Sequence, residues 1–519
     1  MIIGDLSLFG RDLERFLGLI WRSRRRFRKW RRNYLFGEHI AWLRAYRTAR
    51  LRHAISRGEF ADREILSAPK LGLGNRLGKL LSAMRLADAL GAKFVFHWPF
   101  NSIDGINPAD EVFHPDFLLS HHLTELPRRR YVRVGKENSL FPSGIMALRL
   151  SRFSHFRGIE VKDVESLRGF EFPLAPLSDC FRRIRFHPRL EIVRKYVDGA
   201  LPRFALAIHI RRGDTFRGDN RIGGGFVTKQ LPLPIIRRIL EKTTSERPVL
   251  LIGNEMGLNR SLQTKPWIHS LADFQYPGEI ARDKTDFFDF LALTKCDAIL
   301  GGTSNFAIHP GRIGGAAFLT PSDFLSHEEI KACLMAYIQK PPTSDDFLEV
   351  ALACEYAHRV LPEMLSAKER DFIITSAFRA DPHNPTYSIR IAADLLRKKD
   401  LRGATELLAS TAELGVLSTV LELARKSLSG YPDLNFESLA KDKGISSWRD
   451  WKVLEAYSGM VPWVDYYLAL RFVSKGDERA AMKFFTRANS LLRECPTWFD
   501  PKGFVDAARH AIRNTRPWM

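Results

Sequence analysis

The 519-residue sequence predicts an α/β protein with parallel sheets that ends in an all-helical segment. Three observations carry this expectation. From Leu71 to about residue 330, short apolar runs alternate with longer stretches of helical periodicity, the pattern of strand, helix, strand units. Glycine turns separate these segments, and the apolar runs are short, as buried strands of a parallel sheet should be. Beyond residue 345 the β signals vanish, and small residues recur at helical spacing.

Taken in order, residues 1–60 read as one or two basic helices with interleaved aromatics, Phe16, Trp21, Phe27, Trp30, Tyr34 and Trp42, around the basic run from Arg22 to Arg32. The pattern fits an arm lying on anionic lipid, where each basic residue is worth roughly 1 kcal/mol. It fits a solvated arm resting on the globular body as well. Residues 61–200 are expected to form one doubly wound unit, with a helix over Leu80–Leu90 and a strand over Lys93–His97. Residues 201–330 form a second, with strands at Phe204–Ile210, Pro248–Gly253 and Ala298–Gly301. The stretch Pro321–Pro342 contributes a helix and a proline-marked boundary. Within residues 345–519, Tyr387–Ala412 and Val464–Ser490 each read as helix, turn, helix. Ala393, Asp400, Ala404 and Ala412 of the first are matched by Ala469, Asp477, Ala481 and Ala488 of the second. This spacing resembles tetratricopeptide repeats, in which small residues let paired helices approach.

Charge and cysteine content narrow the function classes. Lys and Arg number 80 against 59 Asp and Glu, a formal net charge of +21. Residues 1–60 alone carry +10, which leaves a mildly basic body of +11 over 459 residues. Anionic partners are implied, but no nucleic-acid motif accompanies the basic arm, so nucleic acid is not expected among them. The five cysteines, Cys180, Cys296, Cys333, Cys354 and Cys495, form no CxxC pair and no even framework. That argues against structural zinc and disulfides, and for a reducing compartment. No stretch approaches the ~20 apolar residues of a transmembrane helix, and the short patch Phe16–Trp21 lacks a following cleavage site. The expected location is cytoplasmic, with the arm allowing peripheral contact with the inner membrane face.

Three segments carry residues fit for chemistry. In Ala205-Leu-Ala-Ile-His-Ile-Arg-Arg-Gly-Asp214 an apolar strand ends in His209, Arg211, Arg212 and Asp214, ahead of the glycine run Gly223–Gly225. Ligands of open α/β sheets bind off the carboxyl ends of strands. Adjacent arginines on an extended chain point to opposite sides, so one can clamp a phosphate bidentately while the other is tied down, Asp214 being one partner for it. A surface ion pair at a strand end is the alternative. In Leu71-Gly-Leu-Gly-Asn-Arg-Leu-Gly78 a glycine loop leads into a helix, whose N-terminus can receive an anion; the spacing does not match a dinucleotide fingerprint. In Asp286-Phe-Phe-Asp289 through Thr303-Ser304-Asn305-Phe306 a helix feeds a short strand and a polar turn, whose hydroxyls and N–H groups suit phosphate oxygens. Taken alone, that turn reads as an ordinary connection.

Together and in this order, the segments resemble the fucosyltransferase superfamily, in particular the bacterial and plant α-1,2 and α-1,6 enzymes and the nodulation-factor type. The resemblance spans residues 71 to about 320. Gly72-Leu-Gly-Asn-Arg76 resembles the opening Gly-x-Gly-Asn loop, and Phe94–Trp98 with Pro99 the strand and Trp-Pro turn after the first helix. His209-Ile-Arg-Arg-Gly-Asp214 is similar to the signature His-x-Arg-Arg-x-Asp. Asp289 and Thr303-Ser304-Asn305-Phe306 fall where the family has a helix carboxylate and a Ser-rich turn.

The resemblance implies a GT-B fold, two facing Rossmann-like domains, with GDP-fucose as the donor and a glycan, glycolipid or polysaccharide precursor as the acceptor. It implies that Arg211 holds the pyrophosphate and that His209 and Arg212 support it. Asp289 would read the guanine edge, and Ser304 with Thr303 and Asn305 would bind phosphate. Gly74 and Asn75 would lie near the donor phosphates or the acceptor. Transfer would invert the anomeric centre without metal or other cofactor. Departures from the pattern are Gly253-Asn254-Glu255, which replaces a Ser-Asp-Asp turn, and Asn305, which replaces a second serine. No acceptor base stands out among Glu255, Asp219 and Asp104. A transferase using another nucleotide sugar is one alternative, and a scaffold that binds protein through its repeats and only senses nucleotide is another.

Overall fold

The computed structural model describes residues 49, 52–69, 72–100, 107–126, 131–134, 158–161, 173–213, 216–218, 221, 227–274, 285–428, 448–492, 496–497 and 499–515. The predicted basic arm lies almost wholly outside these residues, as do Asp104, Asp214, Asp219, the run Gly223–Gly225 and Cys495. The chain divides into two compact units, Met1–Pro188 and Arg189–Met519.

The first unit is built on four parallel strands, β1 (Glu64–Ser67), β2 (Lys93–Phe96), β3 (Tyr131–Val134) and β4 (Gly158–Val161), in the order β2-β1-β4-β3. Helix α1 (Leu73–Leu90) follows β1. It starts seven residues before the Leu80 end expected from the sequence, because Leu77, Leu80, Leu81 and Met84 are all buried in one continuous face and Gly72 caps its start. Its end is closed by Gly91 at φ 64, the left-handed conformation that glycine adopts without a Cβ penalty. Phe96, Trp98, Phe113, Phe117 and Phe186 fill the rest of this core, with Trp98 meeting Phe113 edge-on at 5.0 Å.

The second unit contains five parallel strands, β5 (Leu206–Ile210), β6 (Val249–Gly253), β7 (Ile268–Ser270), β8 (Ala298–Gly301) and β9 (Ala317–Leu319), ordered β7-β6-β5-β8-β9. In chain order this is 3-2-1-4-5, a doubly wound sheet whose direction of winding reverses between β5 and β8. All five residues of β5 are buried, as its central place requires. The registers His209↔Ile252 and His209↔Gly301 fix it against both neighbours. Helices α2 (Leu233–Glu241), α3 (Thr285–Leu293), α4 (Asn305–Gly314) and α5 (His327–Gln339) belong to this part.

Every described segment between 347 and 428 and between 448 and 491 is mainly helical: α6 (Phe347–Val360), α7 (Ala367–Ala380), α8 (Pro385–Arg397), α9 (Leu401–Glu413), α10 (Val416–Leu428), α11 (Trp448–Ala456), α12 (Pro462–Ser474) and α13 (Glu478–Leu491), with α14 (Pro501–Thr515) last. The hydrophobic core does not divide at the predicted boundary near residues 330–345. One cluster runs from Leu206 and Ile208 through Leu334 on α5 to Leu352, Tyr356, Ile373 and Tyr387. A second, from Ile389 to Ile512, belongs to the later helices alone. Among the described residues, no single helix is long and apolar enough to cross a membrane.

Candidate functional site

The carboxyl ends of β5 and β8 meet at the point where the second sheet reverses, which is where ligands of doubly wound sheets bind. His209 and Arg211 leave β5 there; Gly302, Thr303 and Ser304 leave β8. Arg211 donates from Nη1 to Ser304 Oγ at 3.2 Å, across 93 residues of sequence. Ser304 is fully buried and is the N-cap of α4, with no side-chain bond to its own helix. Its hydroxyl is therefore turned to the arginine, while Asn305 and Phe306 open the helix. Gly302 is demanded by sterics, since a Cβ there would lie 2.1 Å from the Lys229 carbonyl carbon. The result is one guanidinium beside one helix N-terminus of ten residues, a combination suited to the negative charge of a phosphate.

His209 is 5% exposed and stacks on Phe306, with centroids 5.5 Å apart. Burial, and then the neighbouring Arg211 charge, push its imidazolium pKa down to about 3. The ring is neutral, and its buried Nδ1 has no hydrogen-bond partner among the described residues. A polar atom buried at a strand end without a partner is the kind that a ligand satisfies. On α3, burial and then Asp286 hold the Asp289 carboxyl well above its ordinary value. Asp286, one turn earlier, is raised by burial and lowered by Arg211. Its side chain is exposed to solvent. The sequence reading assigned Asp286 no role; its i, i+3 spacing from Asp289 was the available signal.

Thr303, on the turn, and Asn305, the first residue of α4, are exposed beside Ser304. Arg212 departs from expectation. Its side chain is buried, and all three guanidinium nitrogens donate inside the protein: Nε to Glu349 at 2.6 Å, Nη1 to the Arg211 carbonyl at 2.9 Å and Nη2 to the Leu231 carbonyl at 3.0 Å. It is the tied-down arginine of the pair, held by three bonds inside the protein. Its described carboxylate partner is Glu349, 137 residues away.

Gly74 and Asn75 belong to the first unit and lie in the first turn of α1, not in a loop before it. Arg76 of the same motif is buried over the Trp98 ring at 5.1 Å and donates to the Pro99 carbonyl at 2.7 Å. The Gly-x-Gly-Asn-Arg and Trp-Pro segments thus meet as packing partners. Of the candidate bases, Glu255 is paired with Arg217 at 3.2 Å. Among the described residues, no group of three His, Cys, Asp or Glu is placed to hold a metal ion. The four described cysteines are free, and burial raises each thiol pKa.

No family model and no curated protein matches the sequence. Among solved structures, POFUT1 in complex with GDP is similar at 14% identity and a TM-score of 0.32, over 50% of this chain and 99% of that one. Fucosyltransferase NodZ from Bradyrhizobium is similar at 16% identity and a TM-score of 0.29, over 48% and 92%. A variant of Arabidopsis thaliana FUT1 in complex with GDP is similar at 14% identity and a TM-score of 0.33, over 50% and 70%.

Proposed function

We propose that the chain is a glycosyltransferase that binds a nucleotide-diphosphate sugar, GDP-fucose by the motif resemblance, at the β5/β8 reversal and transfers the sugar to a glycan acceptor. The observation that carries this is the Arg211–Ser304 bond at the N-terminus of α4. Breaking a sugar–phosphate bond builds positive charge on the anomeric carbon and negative charge on the departing diphosphate. A guanidinium and a helix N-terminus already in place stabilise the second charge as it appears, and that differential stabilisation is what accelerates the step. In this reading, Arg211 and the α4 turn (Thr303, Ser304, Asn305) receive the diphosphate oxygens. His209, neutral, offers Nδ1 to the ligand, and Asp289 accepts hydrogen bonds from the guanine edge.

With cationic and dipolar groups doing this work, transfer is proposed to need no divalent metal and to invert the anomeric centre by single displacement. The acceptor base, Gly74 and Asn75 as donor or acceptor contacts, the GT-B arrangement, a tetratricopeptide-like reading of the helices, and a cytoplasmic location at the membrane face remain parts of this proposal. The test follows GDP release from GDP-fucose with and without EDTA, alongside GDP binding. Arg211→Ala should lower kcat/KM by about 10²–10³, and Arg211→Lys should recover only part of it, because an ammonium cannot reproduce the planar fork. Unchanged turnover in Arg211→Ala, or no GDP binding by the wild type, removes the assignment.

A further inference from the structure

Three arginines of the segment that leaves β5 reach acidic residues at the start of the helical tail. Arg212 pairs with Glu349 on α6 at 2.6 Å, both side chains being buried. Arg217 pairs with Asp346, the N-cap of α6, at 2.6 Å. Arg221 makes two bonds to the buried Asp381 after α7, at 2.9 and 3.2 Å. Phe216 sits among them, 3% exposed, with the Arg212 and Arg217 guanidinium carbons 5.0 and 5.5 Å from its ring. It lines a small cavity with Glu355, Asn384 and Tyr387 of the tail. The backbone is fixed on the other side by Asn254, which accepts from the Arg212 N–H at 3.2 Å. Asn254 also crowds Gly213, whose φ of 69 suits glycine and whose absent Cβ would fall 2.4 Å from Asn254 Nδ2.

We infer that the helical tail is a working part of the donor site and that Glu349 is its positioning residue. The connection is direct. Glu349 orients Arg212, Arg212 holds the carbonyl of Arg211, and Arg211 presents its own guanidinium to Ser304. Removing the Glu349 charge strands a buried guanidinium, which must move toward another partner, and the Arg211 backbone moves with it. A displacement of about 1 Å at a charge-stabilising group is enough to weaken it strongly. The inference rests on the donor reading above for its ligand, though not for the coupling itself. By linkage, what the tail does for the ligand the ligand must do for the tail.

The test uses full-length protein carrying Glu349→Gln, with Asp381→Asn as a second variant should the first fail to fold. The control is Asp450→Asn, which breaks another buried ion pair, with Arg390 and Arg397, wholly within the tail. GDP affinity is measured by calorimetry, thermal midpoint by circular dichroism, and local opening by amide exchange over residues 206–218. The expected result is a Kd for GDP at least tenfold weaker in Glu349→Gln, with faster exchange over 206–218, while Asp450→Asn lowers the midpoint and leaves Kd unchanged. An unaltered Kd in Glu349→Gln, or an equal loss in Asp450→Asn, overturns the positioning role. Should the wild type bind no GDP, the donor reading falls, and exchange decides the coupling alone: faster opening of 206–218 in Glu349→Gln than in Asp450→Asn upholds it, and equal opening overturns it.

Discussion

His209 shows how one residue ties the site to the stability of the fold. Its folded pKa is depressed to about 3 from the ordinary 6.5, so the unfolded chain binds the proton more readily between those values. Stability from this group is present above pH 6.5 and is lost as pH falls toward 3. The loss amounts to roughly 3–5 kcal/mol across the window, on the constant of 1.36 kcal/mol per unit. Asp289, raised mainly by burial, acts in the opposite sense: its contribution is present at acid pH and is lost as pH rises through its elevated value. His209→Gln should therefore flatten the acid limb of stability below pH 6.5 in denaturant titrations at several pH values. A limb as steep as the wild type's would mean that another group dominates it. In the proposed function, an ionised Asp289 receives the guanine edge, so GDP affinity should increase as pH rises through the raised carboxyl value, measurable as proton release on binding.

Among elements, two helical hairpins of the tail share their geometry in detail. Helices α8 and α12 are both 13 residues long and begin with proline, at Pro385 and Pro462. Each passes through a lysine C-cap, Lys398 or Lys475, and a left-handed residue, Lys399 at φ 62 or Gly476 at φ 70. Each then reaches an aspartate N-cap, where Asp400 accepts from Gly403 N at 2.8 Å and Asp477 from Ala480 N at 3.0 Å. Lys399 is the sole non-glycine residue with positive φ among the described residues, a conformation that costs an L-residue about 1–2 kcal/mol. Lys399→Gly should stabilise the protein by about 0.5–1 kcal/mol after glycine's extra unfolded-state entropy is counted, and Gly476→Ala should destabilise it by a similar amount. Denaturant midpoints of the two variants check this.

These hairpins were legible in the sequence because small residues and a capping aspartate recur at matching places. The strands at Leu206–Ile210, Val249–Gly253 and Ala298–Gly301 were legible as apolar runs bounded by glycine or polar residues. Strands β7 and β9 were not, since three residues are too few to show a period. In the candidate site, His209, Arg211 and Ser304 sit at strand ends, where polarity interrupts an apolar run and announces itself. Glu349 does not: an acid near the start of an amphipathic helix reads as a solvated, dipole-favoured residue, and only the fold reveals that it is 3% exposed against Arg212.

At the scale of the whole molecule, the sequence marks a boundary near residues 330–345 by proline and by loss of strand signals, but the core ignores it. Leu352, Tyr356, Leu361, Ile373, Ile374 and Tyr387 of the tail are buried in the cluster that also holds Leu206, Ile208 and Val249 of the second sheet. At roughly 1.5–3 kcal/mol for each large apolar side chain, these six alone contribute roughly 9–18 kcal/mol, comparable with the entire margin of an ordinary domain. The buried Arg212 guanidinium would also lose its counter-charge if the tail were removed. A fragment of residues 189–344 should therefore fail to fold, whereas 189–519 should show a cooperative thermal transition and near-native helix content by circular dichroism. If the shorter fragment melts cooperatively and binds GDP with the affinity of the full chain, the tail is an accessory to the sheet, and the shared core and the arginine latches contribute far less than their burial implies.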